Sequence, residues 1–435
     1  MRDIILIVVF GYGVILSFRK PYWGPLLWVW VSMMNPHRLT WSFAYSLPFA
    51  QAAAACALLC FILSKKARYP YPNANAAKLM VVLYLWMCVT SVFAISTIPG
   101  VVYENWSKVT KIQFMLFITL MMLRGREQIQ LLVWVLVVSI GYFGVKGGLY
   151  TAVGGGGMVM GPAGSFIEGT NHIAIAMTMV VPFMYYLSQQ LERPIYRKMM
   201  YAAMALTTLS VFGTTSRGAL LAVFAMSLFL GLKGSKHKFA TLLLIGMALA
   251  ILMAVMPESW TSKMSTIKSH EDHSAQSRLY TWKMIWNLVI HNPLTGGGFS
   301  VTEDSMTWIR YAVTDWAKAY SPHSIYFQAL AEHGFIGLFL YIAVGVSAWR
   351  LASSIVERVK DDPELQWASL LVRMCQASLM GFAVGGAFVN LVNFDLPYYI
   401  VGAIILVNEV VREKEAGLAV KSVSQNGMAM GVRAV

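Results

Sequence analysis

The sequence predicts an all-α integral membrane protein, with about 12 transmembrane helices and one long outer loop that forms short interfacial helices. Of its 435 residues, 57% are hydrophobic and only 12% are charged, whereas a soluble domain has about a quarter charged residues. The mean hydropathy is +0.60. Apolar runs such as Phe239–Met256 are long enough to cross, as helices, the roughly 30 Å hydrocarbon core of a bilayer.

The positions of lysine and arginine predict which loops share a side of the membrane. Loops rich in these cations are typical of the cytosolic side; here they start at Ser64, Arg124, Glu192, Lys233, Arg350 and Arg412. The loops that alternate with them contain few cations and start at Ser96, Gly154, Gly213 and Asn393. This alternation predicts N-terminal transmembrane helices over 1–256, an outer loop over 257–322, C-terminal transmembrane helices over 323–411 and a cytosolic tail over 412–435.

Residues 1–34 contain two short apolar stretches, separated by Arg19, Lys20 and Pro21. We interpret them as one broken helix that crosses the membrane once, which leaves both chain termini in the cytosol. A shallow hairpin is the alternative.

The outer loop is predicted to form a lid of two interfacial helices. From Ser277, "SRLYTWKMIWNLVIHNP" places apolar residues at helical spacing, namely Leu279, Trp282, Ile285, Trp286 and Val289. "NPLTGGGFS" ends this amphipathic helix, whose tryptophans we expect at headgroup level. A second helix is predicted over Glu303–Lys318, with one apolar side formed by Trp308, Ile309, Ala312 and Trp316.

The net charge of +14 does not indicate nucleic-acid binding, because the cations lie in short loops rather than along one face. Such cations set topology and contact anionic lipid headgroups. The four cysteines lie within apolar runs and have neither disulfide nor metal-site spacing, so we expect them to be small packing residues. We expect no metal and no cofactor, since metal-binding motifs and nucleotide-binding glycine loops are absent from the sequence.

Several basic residues fall near the outer ends of the predicted helices. They are Lys146, His172, Arg217 and His323, joined from the lid by Arg278. Ionisable groups at membrane depth are costly and usually face protein or water. The sequence therefore predicts a basic cluster at the outer leaflet whose partner is an anion.

His323 is the candidate general base. Ser321 fits a helix N-cap and Pro322 the first helical position, which places His323 in the first turn. Free backbone N–H groups and the positive end of the helix dipole disfavour protonation there, and a neutral imidazole can take a proton from a hydroxyl. On position alone, an interfacial histidine that hydrogen-bonds the lid is the alternative.

Gly334 and Gly337 follow in the same predicted helix, roughly 16–21 Å deeper than His323. Small residues at that depth allow close contact between helices, so we expect them to position the helix without taking part in chemistry. His333 is interpreted as a packed or hydrogen-bonded histidine.

Arg217 and Arg278 are the candidate phosphate-binding residues. Arg217 has no adjacent carboxylate in "TTSRGAL", and a guanidinium fork matches a phosphate; snorkelling to lipid headgroups is its alternative. Arg278 begins the first lid helix, where an ordinary solvated charge is the alternative. His172, Lys263 and Arg310 are secondary candidates, for which a packed polar cap (His172) or a solvated charge (Lys263 and Arg310) is the favoured interpretation.

Three stretches together resemble the O-antigen ligase superfamily, the WaaL-like membrane glycosyltransferases. They are the tight turn "TSRGA" with Arg217, the lid stretch "SRLYTWKMIWNLVIHNPLTGGGFS" with Arg278, and "HSIYFQALAEHGFIG" with His323. The last stretch fits the family's pattern of His-[Asn/Ser/Gln], nine residues and Gly-x-x-Gly. The N-terminal "RKPYWGPLLWVWVSMMNPHRLTW" is similar to the branch of this superfamily that is associated with exosortase systems.

The resemblance implies transfer of a preassembled glycan from undecaprenyl diphosphate to a sugar hydroxyl of lipid A–core, at the periplasmic face of the bacterial inner membrane. It implies that His323 deprotonates the acceptor hydroxyl for direct attack on the anomeric carbon. Arg217 and Arg278 would hold the diphosphate, without a metal. The expected partners are the undecaprenyl-diphosphate-linked glycan donor, the lipid A–core acceptor and membrane lipids, and no nucleic acid.

Other functions stay open at this point. Within the superfamily, the alternatives are an O-antigen polymerase and a ligase whose acceptor is a protein. The single long outer loop and the short segment after the last span favour lipid A–core, whereas the exosortase-like N-terminus favours a different acceptor. An ion-coupled transporter is the alternative from another class, but transporters place ionisable groups near the bilayer midplane, and here they cluster at one surface.

Overall fold

The computed structural model describes residues 1–64, 68–154, 159–234, 273–312 and 319–431, and 80% of it is helical. The described ranges contain no β-strand, so the all-α prediction is confirmed for them. The α-helices are α1 (Arg2–Arg19), α2 (Trp23–Met34), α3 (Phe49–Leu63), α4 (Asn75–Val92), α5 (Val101–Met122), α6 (Gly125–Ala152), α7 (Thr170–Gln190), α8 (Pro194–Gly213), α9 (Arg217–Gly234), α10 (His273–His291), α11 (Ser305–Tyr311), α12 (Ile325–Arg358), α13 (Gln366–Gly385) and α14 (Asp395–Gly431).

Four described segments are long and apolar enough to cross a membrane. They are α4, α6, α12 and Pro363–Phe388, which contains α13. The chain is therefore a multi-pass membrane protein. The prediction of about 12 spans is not confirmed, and the apolar run Phe239–Met256 lies outside the described residues.

Small residues set the distance between neighbouring helices. Gly144 and Gly148 of α6 face α8, where a Cβ at Gly148 would lie 2.0 Å from the carbonyl oxygen of Leu206. A side chain at this position would push the two backbones apart. Close backbone approach through small residues is a usual way to pack membrane helices, because lipid supplies little hydrophobic drive between them. This packing places the end of α8, and therefore the turn that leads to Arg217, against α6.

α1 and α2 fold back on each other as a helical hairpin. A Cβ placed at Gly13 of α1 would lie 2.8 Å from Leu27 of α2. The Asp3 carboxylate accepts a hydrogen bond of 3.1 Å from the backbone N–H of Ala44, so the start of α1 lies beside the loop that follows α2. The expectation of a single crossing by residues 1–34 is wrong, because the Arg-Lys-Pro break reverses the chain instead of interrupting one helix.

The cation-rich loops meet at one end of the helix bundle. Arg124 pairs with Glu409 (3.1 Å) and Glu413 (2.8 Å), and Arg358 pairs with Glu415 (2.7 Å). The cation-poor loops meet at the opposite end, which we call the His323 end because it carries that residue. The grouping of the loops agrees with the sequence, and the assignment of the His323 end to the outer side of the membrane stays a prediction.

The first lid helix, α10, presents two apolar faces rather than one. Ile285 and Val289 are buried in a small core against α12, whereas Leu279 and Trp286 are half or more exposed. Part of the predicted apolar stripe therefore packs against the protein, and the rest faces outward. An exposed apolar face on a helix at the bundle's end fits the predicted interfacial position.

The second lid helix is shorter than predicted. α11 covers Ser305–Tyr311 and follows a one-turn 3₁₀ helix, Val301–Glu303; residues 313–318 lie outside the described ranges. Trp308 is 1% exposed and its neighbour Ile309 is 68% exposed, so the single apolar side expected here is wrong. Adjacent residues of a helix point in different directions: Trp308 lies in the small core against α12 and Ala312 packs against that core, whereas Ile309 does not.

α12 is broken at Gly334, where φ is 68° and ψ is −170°. The glycine loop "NPLTGGGFS" fills this break. The N–H groups of Gly297 and Gly298 donate to the carbonyls of Ala331 (2.8 Å) and Glu332 (3.0 Å). These carbonyls end the first half of the helix and have no partner within it, so the loop supplies the hydrogen bonds that the break removes.

The second half of α12 is anchored to the same loop. The N–H of Phe335 donates to the carbonyl of Pro293 (2.9 Å), and a Cβ at Gly334 would lie 2.2 Å from the carbonyl oxygen of Leu294. The straight helix expected below His323 is therefore wrong, and depths calculated for it do not apply. Gly334 lets a loop from another part of the chain enter the helix, rather than a neighbouring helix approach.

Candidate functional site

His323 lies in the loop just before α12, not in its first turn. The N-cap is Ser324, whose side chain accepts a hydrogen bond from the N–H of Phe327. The helix thus begins three residues later than predicted, and His323 lies outside its first turn. His323 itself has a φ of 46°, a left-handed conformation that costs a residue other than glycine on the order of 1–3 kcal/mol.

The imidazole of His323 is held in its neutral form. Burial lowers the pKa of His323, and the positive charge of Arg278 lowers it further. A neutral imidazole at neutral pH can accept a proton from a hydroxyl. The cause of this lowered pKa is burial and a neighbouring guanidinium instead of the helix terminus, and the role of His323 as a general base stays a prediction.

The lid helix α10 fixes Arg278 beside the His323 loop. Trp282 donates from Nε1 to the carbonyl of Pro322 (2.9 Å), and its ring stacks on Phe327 with 4.7 Å between centroids. Residues four apart share one face of a helix, so Arg278 and Trp282 face this loop together.

His172 is the third member of this group. It lies in the first turn of α7, where burial lowers the pKa of His172 and the nearby His323 lowers it further. Gly169, just before the helix, leaves room for the ring, because a Cβ there would lie 2.8 Å from His172 Nδ1. The structure therefore brings together His172, Arg278 and His323, which the sequence places on three separate segments.

Arg217 begins α9, directly after a tight turn in which Thr215 has a φ of 56°. The one-turn 3₁₀ helix Gly386–Phe388 packs against both α9 and α12. A Cβ at Gly218 would lie 2.9 Å from Phe388, and a Cβ at Gly386 would lie 2.5 Å from Ile325. The starts of α9 and α12 thus pack on the same turn, which places Arg217 at the His323 end of the bundle.

The remaining candidates are less closely associated with His323. Arg310 is exposed, and its guanidinium lies over the ring of Tyr311, 5.4 Å from the centroid. Lys146 is exposed on α6. No contact between described residues joins either of them to His323. Lys263 lies outside the described residues.

Glu332 is a buried carboxylate that the sequence analysis did not single out. It accepts hydrogen bonds from Gln328 (3.1 Å), from the backbone N–H of Ser300 (3.4 Å) and from Asn393 (3.4 Å). It therefore joins the glycine loop and the loop before α14 to the helix that follows His323. An acidic residue within an apolar segment is itself a signal of such a role.

His333 is 1% exposed and shares a hydrogen bond of 2.7 Å with Thr90. Its ring also meets Phe299 edge to face, with 4.9 Å between centroids. The interpretation of His333 as a packed, hydrogen-bonded histidine is confirmed. Among the residues that the structure describes, no group of three His, Cys, Asp or Glu side chains is placed to hold a metal ion.

Two family models match parts of the chain. The model described as O-antigen ligase matches residues 202–342, a segment that contains Arg217, Arg278 and His323. This match supports membership of the O-antigen ligase superfamily. A family of unknown function matches residues 1–192, and no curated protein matches the chain.

The O-antigen ligase match implies a membrane glycosyltransferase-like enzyme that uses a glycan donor. The matched segment also contains the glycine loop and the secondary candidates Lys263 and Arg310. His172 lies before it, within the region of unknown function. The similarity of the N-terminus to the exosortase-associated branch stays a prediction.

Proposed function

We propose that this protein is an O-antigen ligase that moves a glycan en bloc from undecaprenyl diphosphate to a sugar hydroxyl of lipid A–core, at the periplasmic face of the bacterial inner membrane. The observation that carries the proposal is the meeting of His323, Arg278 and His172 at one end of the bundle. A neutral imidazole beside a guanidinium suits the deprotonation of a hydroxyl next to an anionic leaving group.

In the proposed reaction, His323 takes the proton of the acceptor hydroxyl while the hydroxyl oxygen forms a bond to the anomeric carbon of the glycan. The bond between that carbon and the diphosphate oxygen breaks, and its electron pair leaves with undecaprenyl diphosphate. This single displacement inverts the anomeric centre. It requires no enzyme nucleophile, no cofactor and no metal ion.

The two arginines supply the charge that the departing diphosphate needs. Hydrogen bonds to charged groups contribute roughly 1.5–3 kcal/mol each, and the gain is larger for charge that develops in the transition state. Arg278 would act from the lid and Arg217 from the start of α9. Lys263 and Arg310 remain secondary candidates for contacts with the donor's sugars or phosphates.

An apolar groove supports a donor with a polyprenyl chain. The groove has a volume of about 350 Å³ and is lined by α12, α13 and the start of α14. It extends from Ile325 and Tyr326, close to His323, along α12 to Trp349. An isoprenoid chain in this groove would bury apolar surface and hold the attached diphosphate beside His323.

Reconstituted transfer tests the proposal. The full-length protein would be incubated with radiolabelled undecaprenyl-diphosphate-linked glycan and lipid A–core, with and without a chelator of divalent cations. His323→Ala should lower the transfer rate by at least about 100-fold, the usual contribution of a general base. His291→Ala, a histidine on the far end of α10, is the matched control and should transfer at the wild-type rate.

The outcomes separate the alternatives. Transfer that requires a divalent cation, or an active His323→Ala protein, would contradict the mechanism. Extension of a second lipid-linked glycan would identify a polymerase instead, and transfer to a peptide hydroxyl would identify a protein ligase. A transporter would move the solute and form no covalent product.

A further inference from the structure

A second basic site lies in a cleft at the His323 end of the bundle. The cleft has a volume of about 640 Å³. Arg38, in the loop between α2 and α3, lines it together with Lys108 and Lys111 of α5. Among its described lining residues Asp395 is the one carboxylate, and it accepts a hydrogen bond from Ser32. All three cations come from the region that matches a family of unknown function.

These three cations form no close ion pair with another described residue. Carboxylates in their neighbourhood are Asp395, in the same cleft, and Glu104, one turn before Lys108 on α5. The guanidinium of Arg38 lies over the ring of Tyr45, 4.7 Å from its centroid, which holds the side chain in place but keeps its full charge. Three like charges around one cleft repel each other, and a bound anion would relieve this repulsion.

The rim of the cleft is suited to a membrane surface. The loop that carries Arg38 exposes Trp41 (84%), Phe43 (55%) and Leu47 (40%). Exposed aromatic side chains at the end of a membrane helix bundle are typical of the headgroup layer. Lys108 and Lys111 lie about 10 and 15 Å along α5 from its first residue. The anion that reaches this cleft is therefore expected to be part of a lipid headgroup rather than a freely dissolved ion.

The cleft is connected to the surroundings of His323 through two segments, the glycine loop and residues 390–395. Asn105, which lines the cleft, donates a hydrogen bond of 3.1 Å to Ser300, at the end of the glycine loop. The segment 390–395 contacts both sites, since Asn390 donates to Ser321 and Asp395 lines the cleft. Five extended residues span at most about 18 Å, so Asn390 and Asp395 lie no further apart than that.

We propose that this cleft binds the phosphate of a phosphorylated sugar headgroup on a lipid in the adjoining leaflet. Its volume lies within the range of about 300–1,000 Å³ that is usual for small-molecule sites, which leaves room for a sugar beside the phosphate. This assignment rests on the proposed function, in which the lipid is the glycolipid acceptor. A phosphate held by Arg38, Lys108 and Lys111 leaves a hydroxyl of the same headgroup free to reach His323.

Binding measurements on the detergent-solubilised full-length protein test this inference. The probes are a lipid with a phosphorylated glucosamine disaccharide, the same lipid without phosphate, phosphatidylglycerol and inorganic phosphate. Lys108→Gln/Lys111→Gln should weaken binding of the phosphorylated glycolipid about 25-fold, since one lysine near a lipid phosphate contributes roughly fivefold. Lys78→Gln/Lys198→Gln, which removes two exposed lysines at the opposite end, should change binding less than twofold.

The binding results for the variants and for the four probes decide separately whether the cleft is the site and whether its ligand is a phosphorylated sugar. Arg38→Gln is a second, independent variant that should also weaken binding, and wild-type melting temperatures would show that the variants fold. Unchanged binding in both variants would overturn the site. Equal wild-type affinity for phosphatidylglycerol or inorganic phosphate would overturn the assignment to a phosphorylated sugar. His323→Ala should bind the glycolipid normally, so a failure of transfer and a failure of this cleft are separate results.

Discussion

Replacing Gly334 by alanine should disconnect the lid from the helix that follows His323. Gly334 has a φ of 68° and a ψ of −170°, a combination that is essentially confined to glycine. The added Cβ would also lie 2.2 Å from the carbonyl oxygen of Leu294. Because that atom belongs to the backbone of the glycine loop, the clash cannot be relieved by a side-chain rotation.

The magnitude follows from the strain and from the hydrogen bonds at risk. Strain in this backbone conformation costs about 1–3 kcal/mol. Displacing the loop would also break its backbone hydrogen bonds to Ala331, Glu332 and Phe335, each of which contributes about 1 kcal/mol. The expected loss of stability is therefore about 4–6 kcal/mol at full displacement. Transfer should fall at least tenfold, since α10 would no longer hold Arg278 beside His323.

Thermal unfolding in detergent, followed by tryptophan fluorescence, and glycan transfer on the same preparation would measure both effects. Gly11→Ala is the matched control, because a Cβ at Gly11 in α1 has no atom within 4 Å; it should alter stability by less than about 1 kcal/mol. If Gly334→Ala melts and transfers like Gly11→Ala, the docking of the glycine loop does not hold the site together.

Two further predictions concern the charged groups. The transfer rate should fall as the pH decreases through the pKa of His323, with a midpoint below the ordinary value of 6.5, because protonation removes the base. Arg278→Gln should move this midpoint upward in a pH–rate profile, whereas an unmoved midpoint would exclude the influence of Arg278 on the imidazole. Arg217→Lys should lower turnover about tenfold or more, because a point charge cannot replace the bidentate fork. Near-normal turnover would remove Arg217 from diphosphate binding.

Composition and apolar run length suffice to predict the helical membrane fold, since neither depends on tertiary contacts. The alternation of cation-rich loops likewise separates the two ends of the bundle. The same alternation places His172, Arg278 and His323 at the outer ends of their segments. It therefore predicts that the three residues share one side of the membrane. The helical spans and the side of each loop can be predicted because they depend on local composition and on the thickness and sidedness of the membrane.

The break in α12 could not be predicted in this way. A single glycine within an apolar run is common in membrane helices, and the break at Gly334 depends on a loop about forty residues earlier that supplies the missing hydrogen bonds. The N-cap of α12 was misassigned for a simpler reason. Ser321 and Ser324 are chemically equivalent caps, but Ser321 accepts a hydrogen bond from Asn390, His323 has a left-handed backbone, and Ser324 caps the helix.

The cleft that contains Arg38, Lys108 and Lys111 was also missed. Its lysines lie inside α5, where the sequence shows two ordinary cations on a helix, and Arg38 lies about seventy residues away. Only the packing of the loop after α2 against α5 brings the three charges together. Charges that converge through tertiary structure leave no pattern in a single sequence.

The position of the donor's diphosphate tests the central claim most directly. It can be measured by electron cryo-microscopy of the protein in lipid nanodiscs with undecaprenyl diphosphate bound. We predict density for the diphosphate between Arg217 and Arg278, with an oxygen within hydrogen-bond distance of each guanidinium and His323 facing the same space. Diphosphate density at the opposite end of the bundle, or away from both arginines, would contradict this account.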